Sequence, residues 1–194
     1  ENFPSSPGLR SSLKTMTPVY RAGGMLNEND KEPAMYSITA ESAHHPDILA
    51  LITALDRYQS VLYPAESNHL LDLTELPDDS LILMIIRDTQ LNAVGCGAVV
   101  LNGDGTGEMK RVYIDPTHRG QRLGDKLLAA LEDEALSRCC HTVRLETGIK
   151  QHAAIRLYQQ CGYERRPAFA PYNEDPLSLF MEKTLVADVR LAAL

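Results

Sequence analysis

At 194 residues, with 44% hydrophobic and 23% charged residues, the chain suits one globular domain with a sizeable core. A net charge of −7 argues against a nucleic-acid partner. The longest apolar run, Leu81 to Ile86, falls far short of the ~20 residues that a membrane-spanning helix needs, so no membrane role is expected. Four cysteines (Cys96, Cys139, Cys140, Cys161) show no metal spacing and are too few for a disulfide framework. They read as reduced thiols, and the expected location is cytoplasmic.

In chain order, residues 1–34 are polar, rich in Pro, Gly and Ser, and lack an apolar signal region. They are expected to form a flexible N-terminal tail, with Met35 a candidate initiator. The domain is expected over 35–185, and 186–194 as a C-terminal tail. Tyr36 to Glu41 reads as a first strand. Pro46 to about Tyr63 reads as a helix, with Ile48, Leu49, Ile52, Leu55 and Tyr58 at helical spacing. Ser67 to Leu73 suggests a second short helix. Ser80 to Arg87 and Ala93 to Leu101 read as paired strands, and Asn102 to Thr106 as a hairpin turn.

The stretch after that turn is the most informative. Glu108 to Asp115 alternates and is rich in β-branched and aromatic residues, then stops at Asp115-Pro116. Leu123, Leu127, Leu128, Leu131 and Leu136 share one helical face. Between strand and helix lies Arg119-Gly120-Gln121-Arg122-Leu123-Gly124. A helix start there offers unpaired amides and the positive end of the helix dipole, and two glycines leave room for a ligand to approach. Residues 110–126 carry five Lys or Arg against two Asp, a local +3 that leaves −10 for the rest. A basic island at a helix start suits a small anion.

Further on, Val143 to Thr147 reads as a strand. Gln151 to Tyr163 reads as a short helix closed by Gly162, and strands are expected near 163–167 and 177–185. Helices alternate with mostly antiparallel strands, which predicts an α/β (α+β) domain. Its mixed central sheet should have about six to seven strands with helices on both faces.

The turn resembles the coenzyme A pyrophosphate loop of the GNAT acetyltransferase superfamily, Gln/Arg-x-x-Gly-x-Gly/Ala. Arg119 and Gly124 match it, whereas the fourth position, normally glycine, is Arg122. The second block is similar to the family signature Asn-x-x-Ala-x-x-Leu-Tyr-x-x-x-Gly-Phe. Ala154, Leu157, Tyr158 and Gly162 match, Tyr163 stands for the Phe, and Gln151 replaces the Asn. The resemblance covers residues 36 to 185. Residues 62–67 and 171–183 also resemble a bacterial subgroup of small-molecule N-acetyltransferases.

The resemblance implies acetyl-CoA as co-substrate, a small-molecule primary amine as acceptor, and direct transfer in a ternary complex. No metal is implied, and a homodimer is a family-level expectation. Cofactor contacts would come from Val112, Tyr113, Ile114, Arg119, Gly120, Gln121, Arg122, Leu123, Gly124, Gln151 and Ala154. Tyr158 would be the general acid at the coenzyme sulfur. Glu108 is the candidate base, with Glu146 a weaker alternative. Tyr63, Glu66, Tyr172 and Glu174 are expected to contact the acceptor. Two rival readings remain: a protein lysine or N-terminal acetyltransferase, and a non-catalytic acyl-CoA-binding module.

Overall fold

The structure, a computed structural model, describes residues 20–21, 35–63 and 71–186. Its elements are β1 (Tyr20–Arg21), β2 (Tyr36–Ala40), α1 (Pro46–Leu62), β3 (Leu81–Asp88), β4 (Ala93–Leu101), β5 (Thr106–Ile114), α2 (Leu123–Ser137), β6 (Thr142–Gly148), α3 (His152–Gln160), β7 (Glu164–Arg166) and β8 (Ser178–Thr184). They form one sheet in the order β1-β2-β3-β4-β5-β6-β8-β7. Only β5 and β6 pair in parallel, and α2 is the crossover helix that such a pair requires. The sheet therefore has the mixed character read from the sequence. Seven strands are joined by the two-residue β1, which lies within the stretch expected to be a tail. The rest of that stretch, and residues 187–194, lie outside the described residues.

The core follows from period-two burial along β3. Leu81, Leu83 and Ile85 face one side, where α1 brings Ile48, Leu51 and Leu55. Ile82, Met84 and Ile86 face the other, against Leu123, Leu127, Leu128 and Leu131 of α2. A strand covered on both faces reads as a continuous apolar run, as this one does. On α1 the buried stripe is narrower than its spacing suggested. Leu49 is 45% exposed because it lies off the Ile48-Leu51-Leu55 line, whereas Tyr58 continues that line toward the end of the helix and is 42% exposed. The second short helix expected from Ser67 falls mostly outside the described residues. Its described end leads into a single 3-10 turn, Leu73–Glu75, capped by the Asp72 carboxylate.

Two irregularities open the sheet. β5 and β6 are paired only from Thr106↔Thr142 to Met109↔Leu145, although β5 runs on to Ile114 and β6 to Gly148. Along the same part of β5, Cys96 pairs with Tyr113 and Ala98 with Lys110, so Arg111 and Val112 oppose Gly97 alone. That bulge bends the strand, and Arg111 takes a left-handed conformation (φ 56°) within it. Its guanidinium is held by Asp56 Oδ1 of α1 (2.5 Å) and the Leu71 carbonyl (2.9 Å). The result is a wedge between two parallel strands, with free β5 backbone on one side.

Candidate active site

A groove of about 350 Å³ runs from this wedge to the start of α2. Of the residues expected to hold the cofactor, all but Gln121 line it. Gln121 instead accepts a hydrogen bond from the Tyr36 hydroxyl at 2.9 Å, which ties the turn to β2. The turn is shaped locally. Asp115 Oδ1 accepts from the Thr117 amide (2.8 Å), closing the 3-10 turn Pro116–His118, and Arg119 Nε donates to the Ile114 carbonyl (3.0 Å). Thr117's donors hold the Asp115 carboxyl below the usual range, so it stays a charged cap.

The amides of Gly120 to Asp125 have no hydrogen-bond acceptor among the described residues. They include the opening amides of α2, which a helix leaves unpaired. The two glycines serve different ends. Gly120 has φ +80°, and an added Cβ would meet nothing within 4 Å, so its backbone is open to the groove. At Gly124 an added Cβ would lie 2.8 Å from Leu157 Cδ2. Gly124 therefore lets α2 and α3 approach each other; ligand access is not what requires it. Arg122, at the family's glycine position, is left-handed (φ 57°), which explains why glycine is the usual residue there. Its side chain is 81% exposed, 3.7 Å from Asp125 at its closest, and leans to solvent.

Past Val112, Gln151 and Ala154 the groove meets a smaller chamber of about 90 Å³. Tyr158 lines this chamber from α3, and Tyr63 lines it from the end of α1. Burial pushes the Tyr158 phenol well up from its ordinary range, so it stays protonated. Its hydroxyl has no partner among the described residues. The carboxylate in the chamber wall is Glu146, whose Oε1 accepts from the Ser178 hydroxyl at 2.6 Å.

The other expected site residues stand differently. Glu108 does not line the chamber. Its Oε1 lies 2.7 Å from Lys110 Nζ and accepts from the Tyr172 hydroxyl at 2.6 Å, while Lys110 Nζ also donates to Tyr172. Tyr172 thus holds the β7–β8 loop to β5, and burial followed by the Glu108 contact pushes its phenol up. Glu174 is exposed and accepts from the Ala168 amide (2.8 Å), bracing the same loop. Glu66 lies outside the described residues. Sequence reading missed Lys110, Arg111, Thr147, Gly148 and Ser178, all of which line the chamber. Only alternation along β6 could have paired Ser178 with Glu146, and nothing local marks Arg111 as a bulge.

Among the described residues, no group of three or more His, Cys, Asp or Glu side chains is placed to hold a metal ion. No helix among them is long and apolar enough to cross a membrane.

Comparison with known proteins converges on one family. The model of the acetyltransferase (GNAT) family matches residues 48–163, more than half of the chain. The chain is 45% identical over 150 residues to an IAA acetyltransferase of Azospirillum brasilense, covering 77% of this chain and 97% of that protein. It is 29% identical over 153 residues to the uncharacterized N-acetyltransferase YedL of Escherichia coli, covering 78% and 96%. A solved structure from Klebsiella pneumoniae, described as a candidate acyl-CoA N-acyltransferase, shares 57% identity with a TM-score of 0.73, covering 79% of this chain and all (100%) of that one. A spermidine N-acetyltransferase of Vibrio cholerae, solved with CoA and spermine, shares the fold at 14% identity and a TM-score of 0.58, covering 78% and 96%. The chain belongs to the acetyltransferase (GNAT) family and is an acyltransferase.

Proposed function

We propose that the chain transfers an acetyl group from acetyl-CoA to a primary amine of a small molecule, directly and without an acyl-enzyme. One observation carries this reading: a groove floored by unpartnered amides leads into a smaller chamber that holds a protonated, unpartnered phenol.

The residues present suit the donor. Gly120, open above its backbone, and the amides up to Asp125 would take the diphosphate, with Arg119 and Arg122 at the rim. The β5 edge from Lys110 to Ile114, unpaired toward β6, would take the amides of the pantetheine arm as a further strand. An N–H on that edge would polarise the thioester oxygen.

When bound, the donor supplies an activated acyl carbonyl. As the amine nitrogen bonds to that carbon and the C–S bond breaks, Tyr158 gives its proton to the departing sulfur. A phenol whose ionisation is suppressed is a poor acid toward a thiolate in water. In this chamber, however, desolvation disfavours both anions alike. The amine's proton goes to Glu146, which faces the same space and restores Tyr158 through the intervening solvent. Glu108, already held by Lys110 and Tyr172, is assigned to positioning the acceptor-side loop.

The Tyr172 tether favours a small acceptor over a polypeptide, since it fixes the β7–β8 loop against β5 beside the chamber. A thiol-release assay with acetyl-CoA against amino acids, polyamines, aminoglycosides and peptides tests the reading. Release that depends on a small amine supports it. Tight acetyl-CoA binding without release on any acceptor would point to a non-catalytic module.

A further inference from the structure

Tyr63 and Gly148 make a contact that the transfer chemistry does not require. A methyl group at Gly148 would lie 2.1 Å from the Tyr63 hydroxyl oxygen and 2.2 Å from the ring carbon that bears it. The phenol therefore lies directly on the backbone at the end of β6, and only glycine admits it there. It is held in place from several directions. The Lys150 amide donates to Tyr63 Oη at 2.8 Å, Lys150 Nζ donates to the Leu62 carbonyl at 3.0 Å, and that ammonium lies 5.6 Å from the ring centre. Tyr63 is only 6% exposed, and burial pushes its phenol up, so the surface it presents is neutral.

The position of this ring matters more than its anchoring. Val112 and Ala154 line both groove and chamber, whereas Tyr63 lines the chamber alone. A thioester arriving along the groove would thus meet Tyr63 only once its acyl end is inside the chamber. The chamber's volume of about 90 Å³ is roughly a quarter of the groove's, and well below the ~300–1,000 Å³ of a pocket for a drug-sized ligand.

We infer that Tyr63, seated against Gly148, is the wall that limits the length of the acyl group. This rests on the acetyl-CoA reading above. Calorimetry with acetyl-, propionyl- and butyryl-CoA on wild type, Tyr63→Leu, Tyr63→Phe, Gly148→Ala and the double variant Tyr63→Leu/Gly148→Ala tests it. Wild type should bind butyryl-CoA about tenfold or more weakly than acetyl-CoA. Tyr63→Leu should narrow that gap to within about threefold, while Tyr63→Phe, which keeps the ring, should preserve it.

Gly148→Ala should lower Tm and narrow the gap by driving the ring away. The double variant should regain the lost Tm, because leucine lacks the atoms that the new methyl would strike. Recovery of Tm with a narrowed gap supports the wall even if Gly148→Ala alone fails to fold. Equal binding of acetyl- and butyryl-CoA by wild type, or a full gap in Tyr63→Leu, overturns the inference. A folded wild type that binds none of the three thioesters would overturn the proposed function instead.

Discussion

The groove and the chamber adjoin at Val112, Gln151 and Ala154 yet are made of different material. The groove's ligand-facing groups are backbone: the amides of Gly120 to Asp125 and the unpaired edge of β5. They come from one continuous strand–turn–helix. The chamber's working groups are side chains from five separate elements, among them Tyr63 at the end of α1, Glu146 on β6, Tyr158 on α3 and Ser178 on β8. Backbone recognition tolerates almost any side chain provided that the local conformation is kept. Side-chain chemistry depends on the whole fold bringing distant residues together. Substitutions in the two regions should therefore separate binding from turnover.

The largest effects belong to the chamber. Tyr158→Phe should lower kcat about 100-fold while leaving the acetyl-CoA Kd within about twofold, measured by thiol release and calorimetry. Equal turnover would remove the role given to Tyr158. Next come the two carboxylates. Glu146→Gln should cost about as much in kcat, whereas Glu108→Gln should mainly raise KM for the acceptor through loosening of Tyr172. The reverse pattern would return the base to Glu108.

The groove should respond in affinity. Gly120→Val, a β-branched residue at φ +80°, should weaken acetyl-CoA binding about tenfold with little change in kcat. Gly124→Ala should instead leave Kd nearly unchanged and cost about 1–3 kcal/mol of stability, because its methyl meets Leu157. If Gly124→Ala weakened binding as much as Gly120→Val, the division between these two glycines would be lost.

The smallest effect concerns Arg122. Its left-handed backbone costs an L-residue ~1–2 kcal/mol, against the ~0.4–1 kcal/mol that glycine loses in unfolded-chain entropy. Arg122→Gly should therefore stabilise the protein by about 0.5 kcal/mol in a denaturant titration. It should weaken acetyl-CoA binding by no more than about threefold, since the side chain stands 81% exposed at the groove's rim, where solvent screens its charge.

The same contrast explains what could be read in the chain itself. The apolar stripe of α2, the Asp115-Pro116 stop and the Arg119–Gly124 turn are neighbours in sequence, so their joint meaning survives without coordinates. β3 was legible because both its faces are covered and its apolar run is unbroken. Glu108 and Glu146 were harder, because both sit at alternating positions on strands. The register and the splay of β5 from β6 decide which of them meets Tyr158. The reason for Gly148 was hidden entirely, since it lies 85 positions from the tyrosine that requires it.

A crystal structure with coenzyme A bound tests the account most directly. The diphosphate oxygens should lie within hydrogen-bonding distance of amides between Gly120 and Asp125, with the sulfur directed at the Tyr158 hydroxyl. A diphosphate seated on another surface, with those amides facing solvent, would contradict it.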